Sequence, residues 1–264
     1  MIFFPLRGII IVVRRSVPDR ERMCFFMRTP YEEERSYYAQ GQVESLNEYM
    51  TRTFLWMVLG LMITFGLAVL GWMTNATLWL LYHVPGFHLI VLVVTLIMAF
   101  TMVNRIERMS VGAARGVFLA YSVLFGFTMS CYLYLYELPS LIFVFLATAV
   151  YFAALSAYGW LTHRDLSSIG SILTVGLIFL IICGIILLFA PGLVMLDRLV
   201  CIAGIAIFLA FTAYDTQKIR AMYSYYAGYP DMLEKASVFS ALQLYLDFLN
   251  LFLYLLRYVG KRRN

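Results

Sequence analysis

The sequence predicts an all-α, polytopic membrane protein: a seven-transmembrane-helix bundle with its last helix at the centre. Three observations lead there. Of 264 residues, 62% are hydrophobic and only 13% charged, against about 45–50% and about 25% in soluble domains; the mean hydropathy is +0.83. Apolar runs long enough to cross a hydrocarbon core of roughly 30 Å recur along the chain. The last run, 236–256, holds a single charge, Asp247, with eleven uncharged residues before it and nine after. A carboxylate at the middle of a membrane helix costs on the order of 2.5–3.5 kcal/mol, so that helix belongs in a protein interior.

The runs are taken in order. Apolar stretches occupy 54–73, 87–103, 117–136, 138–161, 169–190, 199–216 and 236–258. Thr74-Asn75 and Pro85-Gly86 bracket an uncharged loop after the first, Pro139 divides the third from the fourth, and residues 162–168 divide the fourth from the fifth. Pro191-Gly192 ends the fifth, and the turn-like Ala227-Gly228-Tyr229-Pro230-Asp231 precedes the last. Small residues at four-residue spacing, Ala206/Ala210 and Gly112/Gly116, suit close helix packing. No repeat of 20–50 residues is evident. The organisation expected is a polar N-terminal cytoplasmic segment at 1–50, a seven-helix domain at 51–260 and a short basic tail at 261–264. Residues 1–30 resemble neither a clean signal peptide nor a structured element; they read either as a loose lead or as an extension upstream of a start at Met23 or Met27.

Basic residues set the orientation. Arg35 and Arg52 precede the first run, Arg105, Arg108 and Arg115 follow the second, Arg164 follows the fourth, and Lys218 and Arg220 follow the sixth. The alternate loops are nearly free of them, Arg198 excepted, which puts the N-terminus in the cytoplasm. Seven crossings then leave Arg257, Lys261, Arg262 and Arg263 outside, against the rule: either the last run stops short or the first six decide the topology. Seven crossings are the expectation. The net charge of +5 reflects these scattered anchors and points to no nucleic acid. Cys24, Cys131, Cys183 and Cys201 lack metal or redox spacing and read as small hydrophobes.

Function is sought at two acids. Asp215 closes the sixth run, with Thr212 and Lys218 three residues to either side; alone, it also reads as an interfacial residue paired with Lys218. Asp215 and Asp247 are equidistant from Asp231, so two antiparallel helices joined near that turn carry them at one membrane depth, at about 1.5 Å rise per residue. Gln243, Asp247, Asn250 and Tyr254 form one polar stripe, which in lipid faces a bundle interior or a water-filled path. Two carboxylates together in a low dielectric share a proton; doubly ionised, they offer hard oxygen ligands to Ca²⁺.

Ala213-Tyr214-Asp215-Thr216-Gln217-Lys218-Ile219 together with Leu244-Tyr245-Leu246-Asp247-Phe248-Leu249-Asn250-Leu251-Phe252 resembles the paired signature of the transmembrane Bax inhibitor motif family, over about residues 50–260. The resemblance implies a pH-sensitive calcium leak channel of the cell membrane, not an enzyme. Asp215 and Asp247 would be its hydrogen-bonded proton sensor and Ca²⁺ site, supported by Gln243, Asn250 and Tyr214. It implies a gating latch at Arg105, or Arg108 next, though a positive-inside anchor explains either arginine as well. The second run lacks the acid some members carry there. No cofactor is required, with Ca²⁺ as the permeant or bound ion; the partners are the bilayer, Ca²⁺, protons and unspecified membrane proteins. Two other readings stand beside it: an intramembrane aspartyl protease, disfavoured because Leu244-Tyr245-Leu246-Asp247 replaces the Gly-x-Gly-Asp of that class, and a membrane regulator with no transport of its own.

Overall fold

A computed structural model describes residues 44–263 except 85, 88, 89, 92, 96, 99, 100, 102–107 and 191. Its named helices are α1 (Leu46–Met73), α2 (Ala76–His83), α3 (Val111–Leu135), α4 (Leu138–Leu161), α5 (Ser167–Phe189), α6 (Val194–Tyr226) and α7 (Pro230–Val259). Six of them, all but the short α2, are long and apolar enough to cross a membrane. Most of the second apolar run falls at or beside positions outside the described residues; those described at 90–91, 93–95 and 97–98 are helical. The Cys24 and N-terminal readings lie outside the described residues as well.

Several boundaries depart from the expectation, and the starts of α1 and α7 do so for a local reason. α1 starts at Leu46, eight residues before the apolar run, because Ser45 and Glu48 form a reciprocal capping box: the Glu48 amide donates to Ser45 Oγ at 3.3 Å and the Ser45 amide to Glu48 Oε2 at 2.8 Å. α6 continues ten residues past Thr216, and α7 starts at Pro230, a residue suited to a first helical turn because it has no amide to satisfy. The loop expected after Met73 contains α2 instead. Its exposed Leu78, Trp79 and Tyr82 make it an interfacial element.

α7 is the centre of the bundle. Buried residues make up 89% of its apolar window, against 22–44% in the other five spans. One apolar cluster joins α7 to α1, α3 and α4, and a second joins it to α5 and α6. α1 and α3 lie side by side and parallel, with contacts advancing together from Trp56–Phe118 through Thr64–Ser122 to Trp72–Tyr134. Close approach uses Gly60, Gly71 and Gly126 at this interface; at the α4–α6 contact a Cβ on Gly159 would lie 2.3 Å from the Ala213 carbonyl oxygen. Gly112 and Gly116, expected to pack closely, face open space: they sit at the loose start of α3.

The bundle has two ends. At the first lie the starts of α1, α3 and α7 and the α4–α5 and α6–α7 connections, tied by Arg115–Glu234 and by Tyr223 OH donating to the Glu44 carbonyl at 2.7 Å. At the second, the tail is held rather than free. The Glu137 amide donates to the Lys261 carbonyl at 3.0 Å, the Arg263 amide to the Leu135 carbonyl at 2.9 Å, Lys261 pairs with Glu137 at 2.9 Å, and Arg257 pairs with Asp197. α7 therefore runs the full length of the bundle.

Candidate functional site

α6 and α7 are an antiparallel pair closed by the short connection Ala227–Tyr229, where Gly228 has φ +104°, open to glycine at little strain. Two contacts fix the register of the pair. Ser240 Oγ donates to Met222 Sδ at 3.2 Å, and Gly204 leaves room for the Tyr254 ring, which a Cβ there would approach to 2.6 Å. Met222 is seven residues after Asp215, and Ser240 is seven before Asp247. Seven residues are almost two turns and drift only about 20° around the helix. Tyr254 lies seven residues after Asp247, and Gly204 eleven (three turns) before Asp215. The faces that touch above and below are thus the faces that carry the acids, at a shared level of the bundle.

Both acids are buried, Asp215 at 2% exposure and Asp247 at 0%. The polar stripe is inside with them: Gln243 and Asn250 are each 6% exposed and Tyr254 is 3%. The Asn250 amide is turned back onto its own helix, donating to the Leu246 carbonyl at 2.7 Å. Tyr214 packs against Gly170, with Lys218 Nζ 5.6 Å from its ring centre. Thr212 and Thr216 donate to the Phe208 and Thr212 carbonyls at 2.8 and 2.7 Å, keeping their hydroxyls on α6. Of the two arginines, Arg105 lies outside the described residues, and Arg108 is exposed in the turn before α3. Cys183 and Cys201 are buried free thiols and Cys131 is partly buried.

Sequence reading missed two features beside the acids. Gln217, two residues past Asp215, staples the α4–α5 connection to α6: its Nε2 donates to the Arg164 carbonyl at 2.7 Å and its Oε1 accepts the Leu166 amide at 2.8 Å. In that connection Asp165 accepts from the Ser167 amide and hydroxyl, which hold its carboxyl below the usual range, so it stays ionised at neutral pH. The second feature is on the far side of α7. Thr64 Oγ1 donates to the Ser122 carbonyl at 2.9 Å, so the Tyr245 hydroxyl, 2.6 Å away, donates to Thr64. Phe118, Tyr121 and Phe125 ring Tyr245 with edge contacts. Hydroxyl residues are ordinary in membrane helices, so only a three-dimensional view singles these out.

Chemically, two carboxylates at one level hold a proton or present up to four oxygens to a hard cation, fewer than the six to eight Ca²⁺ takes. Among the described residues there is no cluster of three or more His, Cys, Asp or Glu, so water or backbone carbonyls would complete any such shell.

An all-helical bundle of membrane-length elements with a buried acid on its central helix and another on the helix beside it defines an integral, multi-pass membrane protein. The family described as inhibitor of apoptosis-promoting Bax1 matches residues 46–264, and the chain belongs to that family. It is 36% identical over 221 residues to the uncharacterised protein RP147 of Rickettsia prowazekii, covering 84% of this chain and 92% of that one. It is 34% identical over 219 residues to the inner membrane protein YbhL of Escherichia coli K12, covering 83% and 93%, and 34% identical over 223 residues to an uncharacterised protein of Borreliella burgdorferi, covering 83% and 94%.

Proposed function

We propose that the protein is a pH-sensitive calcium leak channel in which Asp215 and Asp247 share a proton. The observation that supports this reading is the burial of both acids on an antiparallel helix pair whose Met222–Ser240 contact lies seven residues from each of them. In a low dielectric, two adjacent carboxylates do not both ionise cheaply, and the proton between them holds the two helices together. Loss of that proton sets like charges against each other, loosens the closed bundle and exposes oxygen ligands to Ca²⁺. The second apolar run moves in response, with Arg105 or Arg108 as its latch. The protein works as a conduit without covalent chemistry or a resident cofactor.

The chain crosses the membrane seven times. Support comes from α1 and α3, parallel neighbours whose connection must return from the second end to the first. The first end faces the cytoplasm, where Arg52, Arg108, Arg115, Arg164, Lys218 and Arg220 gather. At the second end, the pairing of Arg257 with Asp197 and of Lys261 with Glu137 lowers the cost of placing a basic tail on the outer side. The membrane is the cell membrane, by likeness to the inner membrane protein YbhL.

The test is Ca²⁺ flux into liposomes of pure lipid containing only this protein. Flux that varies across roughly pH 6–8, and loses that dependence in Asp215→Asn and Asp247→Asn, supports the channel. Unchanged pH-dependent flux in both variants ends the aspartate mechanism. No flux from the folded wild type leaves a regulator of other membrane proteins in its place.

A further inference from the structure

Three cavities of about 530, 560 and 200 Å³ lie end to end along the seam between α1 and α4. The first and second share Phe54, Val58 and Ser156; the second and third share Phe65 and Phe145. The cause is in the packing. α1 and α4 each rest on α7 but are not themselves a closely packed pair; they meet at the Phe65–Phe145 ring contact, centroids 4.8 Å apart. The groove between them is floored by Phe248 and Phe252 of α7. Along α1 it runs from Asn47 to Val69, about 33 Å at 1.5 Å per residue, or roughly the thickness of the hydrocarbon core.

The seam is graded in polarity. Its third cavity, at the second end of the bundle, has walls almost wholly of hydrocarbon and aromatic groups. The first cavity carries Asn47, Thr51, Ser156 and the Trp160 indole. Ser156 is 6% exposed, and its hydroxyl has no hydrogen-bond partner among the described residues. Thr148, two turns earlier on α4, instead donates to the Val144 carbonyl at 2.7 Å, the usual resolution for a hydroxyl on a membrane helix. Ser156 lines the first two cavities with that bond unmade, its oxygen just beneath their surface, where a rotation about χ1 would bring it to an acceptor in the seam.

We propose that this seam is a lipid site holding one acyl chain of a bilayer glycerophospholipid, with the ester end at Asn47, Thr51 and Ser156 and the chain running over Phe248 toward Phe145. A groove at this depth opens onto lipid tails rather than water, and the two larger of its volumes fall in the range of ligand sites, about 300–1,000 Å³. The ester carbonyl is the acceptor the Ser156 hydroxyl lacks. Because Phe248 adjoins Asp247 in sequence, the bound chain bears directly on the central helix. This inference does not depend on the protein's being a channel.

The full chain, purified and washed in detergent, is examined by native mass spectrometry for retained lipid. One glycerophospholipid per chain is expected. Ala153→Trp combined with Ala157→Trp fills the seam and lowers retention by roughly tenfold, about 1.4 kcal/mol of affinity, whereas Ala154→Trp, on the same helix outside the cavity walls, leaves it unchanged. Ser156→Ala, a small change that does not threaten folding, lowers retention about threefold, the worth of one hydrogen bond in hydrocarbon. Retention unaffected by the tryptophans and by Ser156→Ala overturns the proposal. So does finding only free fatty acid, or stronger lipid retention in a chain lacking residues 1–43, which would make that segment the seam's own occupant.

Discussion

The two faces of α7 solve the problem of a polar group in a membrane interior in opposite ways. Tyr245 and Asp247 are two residues apart, at nearly the same depth, and both are fully buried. Tyr245 points between α1 and α3, donates to Thr64 and is walled by three aromatic rings. Its hydroxyl stays neutral throughout the physiological range, so the joint is fixed. Asp247 lies on the face turned to α6, where Asp215 stands at the same level. In the proposed function this joint has two states, set by the proton the two carboxylates share. On that reading one helix is anchored on one side and switchable on the other.

The comparison can be broken at several points. The largest effect is expected where the α4–α6 contact has no slack. A Cβ at Gly159 would lie 2.3 Å from the Ala213 backbone oxygen, and backbone cannot swing aside as a side chain does. Gly159→Ala should therefore cost about 3 kcal/mol, the upper end for overpacking, read as loss of folded protein in a detergent melt. If it melts like wild type, α4 and α6 are not so close. Gly204→Ala presses on the Tyr254 ring, which can shift, and should cost about 1–2 kcal/mol.

On the fixed face, Tyr245→Phe removes one buried hydrogen bond and should lower stability by about 0.6–1.7 kcal/mol while leaving the pH dependence of flux intact. A flux profile shifted by Tyr245→Phe would mean that the two faces are coupled. The smallest effect belongs to the second end. Glu137→Gln breaks an exposed pair with Lys261, worth at most about 1 kcal/mol and screened by salt, while the backbone hydrogen bonds of the tail remain. A loss larger than that, persisting in high salt, would show the ion pair to be what anchors the tail.

Much of this was legible in the chain. Long apolar runs mark membrane helices by length alone, and a lone acid within one stands out because lipid cannot solvate it. The connection between Asp215 and Asp247 was legible as well, since Gly228 and Pro230 mark a short turn between two regular helices. The start of α1 is written in Ser45-x-x-Glu48, a capping box, but its first turn is polar and carries no hydrophobic signal. α2 was not readable, since eight mostly apolar residues entered through a left-handed Asn75 (φ 54°) carry no membrane-length signal and no side-chain cap. Nor was the Thr64–Ser122–Tyr245 joint, whose members are neutral and come from three distant segments. The binding of the basic tail to the α3–α4 connection rests on backbone hydrogen bonds, which no side-chain pattern announces.

The central claim is a single proton held between Asp215 and Asp247, and infrared difference spectroscopy of the purified protein in lipid addresses it without relying on transport. The account predicts a protonated-carboxyl band at neutral pH that is removed or displaced in Asp215→Asn and in Asp247→Asn alike, since either change leaves no second carboxylate to share with. Absence of any such band in the wild type, or its persistence unchanged in both variants, would contradict it.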